Sequence, residues 1–222
     1  MKKLLFVSLF VLILQFGAFA QEAEFEAGMK AARGKDFETA LAFFQRSIST
    51  KLSNKKLAQV HYNIGVCFYR LKETRRAIAQ FEQAVRLNPD YEKAFYALGM
   101  ANSDLQNWER AKDNFQRVLA LSRQQNGEAW FDLAFVFVGQ ENYDKAFTAF
   151  QKAIENGSRA SGASHNNLGV IYVLRGELEA GISEIEKARA LGFREAENNL
   201  AYIRQIVTTK DKIAAISLIS RE

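Results

Sequence analysis

Chemistry needs nucleophiles, bases or metal ligands in clusters, and this chain of 222 residues carries few of them. It has two histidines, His61 and His165, about a hundred residues apart, and one cysteine, Cys67. No His-x-x-x-His or Cys-x-x-Cys spacing occurs, so no zinc site is expected. No Gly-rich phosphate loop is present, and Gly157 to Gly162 reads as a turn between helices. The carboxylate pair Glu184 and Glu186 reads as a solvated helix face. The Asn166-Asn167 pair recurs as Asn198-Asn199, which suits capping or groove hydrogen bonds rather than catalysis. These residues predict no catalytic group, no metal and no cofactor, and the chain reads as a protein that is not an enzyme. Cys67 cannot form an internal disulfide and sits in the apolar run Ile64 to Tyr69. A buried, inert thiol is expected there, with a reactive thiol as the alternative.

Charge narrows the partner class. The formal net charge is +5, but Lys2 and Lys3 belong to an N-terminal stretch with its own character. Leu4 to Leu14 is apolar apart from Ser8, and Ala18-Phe19-Ala20 precedes a polar, acidic stretch starting at Gln21. That is the layout of a secretory signal peptide over residues 1–20. The apolar run is shorter than the ~20 residues of a spanning helix. Cleavage after Ala20 is expected, with an uncleaved anchor as the alternative. Export then implies a periplasmic or extracellular location, with no direct membrane insertion of the cleaved protein. Beyond residue 20 the chain has 28 basic and 25 acidic residues, interspersed, with no single-sign stripe. No nucleic-acid partner is expected from that distribution.

The elements that position these residues repeat. Ile64-Gly65, Leu98-Gly99, Leu133-Ala134 and Leu168-Gly169 stand 34, 35 and 35 residues apart. Ala27-Gly28 precedes them and Leu200-Ala201 follows. Twelve residues after each of the first five small residues comes Ala40, Ala77, Ala111, Ala146 and Gly181. Sixteen after comes Phe44, Phe81, Phe115, Phe150 and Ile185. Periodicity of this length marks stacked helical hairpins, each an A helix and an antiparallel B helix. The small residues let A and B approach, and the B-helix aromatic fills the space between one hairpin and the next.

The pattern resembles the tetratricopeptide repeat family. The second repeat carries it best, with His61, Ile64, Gly65, Phe68, Ala77, Phe81, Ala84 and Pro89; the fourth has Trp130, Leu133, Ala134, Phe137, Ala146, Phe150 and Ala153. Both histidines occupy the slot of the family's tryptophan. The resemblance implies an all-α fold, a right-handed solenoid of about five helix-turn-helix repeats plus C-terminal capping. The expected repeats are 21–56, 57–90, 91–125, 126–161 and 162–193, with a capping helix over 194–207. Residues 208–222 hold Ile213, Ala214, Ala215, Ile216, Leu218 and Ile219. They read either as a closing helix, with Thr208-Thr209 at its start, or as an apolar tail that docks in a groove.

The resemblance also implies a binding face. In the family, positions 5, 9 and 12 of the A helices line a concave groove. Here those positions include Phe25, Met29, Tyr62, Val66, Tyr69, Tyr96, Met100, Phe131, Phe135 and Asn166. They are expected to form a ligand-binding groove for an apolar segment of another protein or peptide, the alternative being packing between neighbouring A helices. Tyr62, Tyr96, Phe131 and Phe135 are expected in a row outside the intra-repeat contacts. The family's carboxylate clamp is not carried over, because its five slots hold Phe25, Met29, Asn63, Lys93 and Ala97. The expected function is a non-catalytic scaffold or adaptor in envelope assembly or secretion. The alternative is a structural subunit packed permanently in a larger cell-envelope complex.

Overall fold

The computed structural model describes residues 21–48 and 52–209. They form eleven helices and, among the described residues, no strand. α1 covers residues 21–33. It is followed by α2 (Phe37–Ser47), α3 (Asn54–Arg70), α4 (Thr74–Leu87), α5 (Glu92–Asp104) and α6 (Trp108–Leu121). Then come α7 (Gly127–Gly139), α8 (Tyr143–Glu155), α9 (Ser161–Leu174), α10 (Leu178–Ala190) and α11 (Ala196–Thr209). Odd-numbered helices are A helices and even-numbered ones are B helices, and the fold is the expected all-α tetratricopeptide solenoid.

The helices begin where short polar side chains can replace missing intrahelical acceptors. Asp36 accepts from the Thr39 amide, Ser53 from Lys56, Asn126 from Ala129 and Asn142 from Lys145. Ser53 starts α3 earlier than the sequence suggested and makes it 17 residues long. The A-to-B turns share one geometry. Lys35, Lys72, Gln106, Glu141 and Gly176 occupy equivalent places, all with positive φ. The next amide folds back to the A helix, as when Glu73 N donates to Phe68 O at 2.8 Å and Asn142 N to Phe137 O at 2.8 Å. This closes the last turn of each A helix in the Schellman manner.

The chain forms two compact units, one ending at Leu105 and the other starting at Gln106, so the boundary falls inside the third hairpin. In unit 1 the core gathers Phe25, Phe44, Ile64, Phe68, Phe81 and Leu98. In unit 2 the helices touch in sequence from α6 to α11. Its C-terminal core joins Val170, Ile185, Ala188, Leu200 and Ile203 from α9, α10 and α11.

Hairpin packing differs from the expectation in one respect. The B-helix aromatic lies within its own hairpin, across the glycine of the A helix. A Cβ on Gly65 would stand 2.6 Å from the Phe81 ring, and one on Gly28 would stand 2.7 Å from Phe44. The fifth repeat is closer still. A Cβ on Gly181 would meet Gly169 O at 2.7 Å, and one on Gly169 would meet Ile185 at 2.4 Å. Glycine on both helices removes the room for a ring, which accounts for Gly181 and Ile185 in place of Ala and Phe.

The C-terminus also departs from the reading of the sequence. Thr208 and Thr209 lie within α11, as its last described residues, instead of opening another helix. The remaining tail expectation, on 210–222, and the signal-peptide expectation, on 1–20, lie outside the described residues.

Candidate protein-binding site

The groove positions divide by accessibility: Phe25, Phe131 and Asn166 are buried, and the others are partly exposed. In unit 1, Met29, Tyr62, Val66, Tyr69, Tyr96 and Met100 are partly exposed. They sit on α1, α3 and α5. Lys56 ties α1 to α3: its Nζ lies 3.0 Å from Glu22 Oε1 and 4.0 Å above the Phe25 ring. The Tyr69 hydroxyl donates to Asp104 Oδ2 at 2.5 Å, joining the ends of α3 and α5. These contacts hold the A helices side by side, with the tyrosines and methionines along one face.

Three expected groove residues are not on that surface. Phe25 and Phe131 are each only 8 % exposed, and Asn166 is 0 % exposed. The cause is the position-5 geometry. From there a ring reaches the aromatic of its own B helix, so these are intra-repeat contacts after all. Phe25 meets Phe44 at 5.6 Å between centroids, Tyr62 meets Phe81 at 5.8 Å and Phe131 meets Phe150 at 5.9 Å. Phe135 is partly exposed but stands edge-on to Phe150 at 5.4 Å and to Phe131 at 5.1 Å. Asn166 is part of a buried amide chain: its Nδ2 donates to Asn167 Oδ1 at 3.2 Å, and Asn199 Nδ2 donates to its Oδ1 at 2.7 Å. Val170, at position 9 of α9, is fully buried beside α10 and α11. The inner face of α9 is therefore closed by its own hairpin and the cap.

Tyr91 belongs to the unit 1 surface and was missed in the sequence. It precedes α5, so it lies outside the A-helix periodicity and only its residue type pointed to it. Its ring stands 5.2 Å from Tyr62. Burial, and then the neighbouring Tyr62, push the Tyr91 phenol up to about 12. Burial raises Tyr62 as well. Both rings therefore stay neutral at physiological pH. Beside them the first turn of α3 and the α4–α5 turn bound a cavity of about 810 Å³, lined by residues that include Lys55, Gln59, Leu87, Tyr91 and Lys93.

The histidines bridge helices. His61 Nδ1 lies 2.8 Å from Gln80 Oε1, and His165 Nδ1 lies 2.6 Å from Glu184 Oε2. Each pair joins the A and B helices of one hairpin at the same spacing. Burial works against the Glu184 carboxylate, but hydrogen bonds from Lys187 and His165 outweigh it and hold its pKa below the usual range. Among the described residues no group of three His, Cys, Asp or Glu is placed to hold a metal ion. Cys67 is buried, and burial pushes its thiol up to about 11.

Family models of the tetratricopeptide repeat match residues 58–91, 96–161 and 136–199, together more than half of the chain. The chain belongs to the tetratricopeptide repeat family. Its first hairpin, α1–α2, precedes the matched residues and makes the same ring-over-glycine contact. Among similar proteins, the chloroplastic tetratricopeptide repeat domain-containing protein PYG7 of Arabidopsis thaliana is 35 % identical over 96 residues, 43 % of this chain and 32 % of that protein. Heat shock protein STI1 of Saccharomyces cerevisiae is 26 % identical over 96 residues, 43 % of this chain and 16 % of that protein. The chain thus matches a third or less of the length of these relatives. Among solved structures, MamA is similar with a TM-score of 0.68 and 22 % identity, over 77 % of this chain and 96 % of that one. MamA 41-end from Desulfovibrio magneticus RS-1 gives 0.70 and 20 %, over 78 % and 95 %. At that identity the likeness is one of fold.

Proposed function

We propose that this tetratricopeptide repeat protein is a non-catalytic scaffold that holds an apolar segment of another protein on the unit 1 face of Met29, Tyr62, Val66, Tyr69, Tyr96 and Met100. The observation that carries the reading is the contrast between α9 and the helices α3 and α5. On α9 positions 5 and 9, Asn166 and Val170, are fully buried, whereas the equivalent Tyr62, Val66, Tyr96 and Met100 on α3 and α5 stay partly exposed. Rings and methionines that remain accessible next to a packed core are the side chains that dominate binding energy at interfaces. The partner segment is an amphipathic helix or an extended strand. The setting is the cell envelope or beyond, in assembly or secretion, because residues 1–20 read as an export signal.

The test is partner capture. Changing Tyr96 and Met100 together to Ala removes side chains that each contribute about 1.5–3 kcal/mol when buried. Crosslinked capture of the partner from the native envelope should fall about a hundredfold or more, with the melting temperature nearly unchanged. If the melt collapses, these side chains are packing residues and the chain is better read as a permanently packed subunit. If capture is unaffected, the partner binds elsewhere.

A further inference from the structure

Basic residues that lie apart in the sequence come together on one edge of unit 1. That edge is formed by the A-to-B turns of the first two hairpins, residues 33–39 and 70–76. Arg33, Lys35, Arg70, Lys72, Arg75 and Arg76 lie there, against Asp36, Glu38 and Glu73. The two turns adjoin: α2 packs on α3, and the Arg70 guanidinium stands 5.3 Å above the Phe37 ring. All six basic residues are exposed. We propose that this edge adsorbs to an anionic lipid surface through its headgroup phosphates, with no helix inserted into the bilayer.

Three observations support the assignment. The first is that the acids leave the charge standing. Asp36 is turned to the Thr39 amide as a helix cap, and Glu73 pairs with Arg76. Arg33, Lys35, Lys72 and Arg75 form no ion pair among the described residues. The charge belongs to these two turns and not to the repeat as such. The matching stretches of the fourth and fifth hairpins, 139–145 and 174–180, hold Glu141, Asp144, Glu177 and Glu179 against Lys145 and Arg175.

The second is the backbone under the lysines. Lys35 and Lys72 hold φ of 64° and 65°, the left-handed conformation that Gly176 takes at the same step of the fifth repeat. A lysine there costs stability relative to glycine, and what the place gains is an ammonium. Strain kept in this way clusters at ligand-binding sites.

The third is how the charge is presented. A protein that reads a single carboxylate holds its guanidinium forks in one fixed geometry. Here the four unpaired groups stand exposed on long stems, with Phe37 and Leu71 partly exposed among them. Spread positive charge beside a few apolar groups suits a layer of anionic headgroups, where each Lys or Arg near the surface strengthens binding about fivefold.

Vesicle flotation tests the proposal, with the chain as isolated from its native host. Vesicles of phosphatidylglycerol and phosphatidylcholine in equal parts should carry the protein at about 0.1 M salt, where the Debye length is about 10 Å. They should release it at about 1 M, where that length is about 3 Å. Vesicles of phosphatidylcholine alone should not carry it. Lys35→Gly with Lys72→Gly should weaken capture about tenfold or more while the melting temperature holds or rises. A purely structural role would not separate the two readings. Arg33→Gln with Arg75→Gln should weaken capture likewise, and Arg123→Gln with Arg194→Gln, an equal loss of charge in unit 2, should leave it unchanged. The proposal is overturned if anionic vesicles fail to carry the wild type, if neutral vesicles carry it equally, or if the lysine variant binds like wild type. Binding of soluble polyglutamate in place of vesicles would assign the edge to an acidic protein and overturn it as well. Partner capture through Tyr96 and Met100 is read separately, so its failure leaves the vesicle result standing.

Discussion

Phe44, Phe81, Phe115 and Phe150 are each 1 % exposed or less, and each sits at the same step of its repeat. Such a ring cannot be removed without leaving a cavity that close-packed neighbours fill only in part. Phe115→Ala is expected to lower stability by about 3–5 kcal/mol, measured by urea unfolding. Ala111, fully buried on the same helix, has no room to grow, and Leu there should cost about 1–3 kcal/mol. Asn166 belongs with this group and not with the binding face. Asn166→Ala leaves the Asn199 amide without its acceptor, a loss of about 1–3 kcal/mol in the same measurement. Cys67 responds to pH through burial. Its thiol, raised to about 11, stays protonated in the folded chain at pH 9, while the unfolded chain has begun to release that proton. Stability should therefore fall as pH rises from 9 towards 11, and Cys67→Ser should flatten the fall. Thiol reagents should label Cys67 in the native protein only as fast as the chain opens.

At the scale of elements, the turn between A and B helices carries a cost that can be removed. Lys72 holds a φ of 65°, a left-handed conformation in which a side chain crowds the following carbonyl. Gly176 fills the equivalent place in the fifth repeat. Lys72→Gly is expected to raise stability by about 0.5–1 kcal/mol, the part of the left-handed cost that survives glycine's larger loss of entropy. Helix positions were readable from the sequence to within a few residues because the small-residue and aromatic steps recur at 34 or 35 residues in the central repeats. The early start of α3 was less readable, since its cap, Ser53, lies where the first spacing stretches to 37. The binding face was only half legible. Periodicity says which positions share a side of a helix. It does not say how much of a position-5 ring packed on the B helix stays accessible, as part of Tyr62 does, or is covered, as Phe131 is. That choice depends on packing between residues 19 apart. Tyr91 carried no periodic signal at all.

At the scale of the whole molecule, charge and location set two expectations. N-terminal sequencing of the protein from its native host should find Gln21 first; an uncut form beginning at Met1 in the cytoplasm would overturn the export reading. Binding at the unit 1 face should change little between low and high salt, because the side chains that line it are uncharged and leave little Coulombic attraction to screen. The ring-over-glycine contact, made at Gly28–Phe44 and Gly65–Phe81, bears on how this chain can drift over generations. A methyl group on Gly65 requires the Phe81 ring to shift, and the fourth repeat has taken that step: Ala134 stands in the glycine's place while Phe150 keeps its ring. Phe81 itself can shrink to leucine at a tolerable loss. The glycine and the ring are therefore coupled, and a change at either site sets how its neighbour must pack. The fifth repeat, with Ile185 beside Gly169, has taken the other step: its ring is gone, and its glycine has stayed.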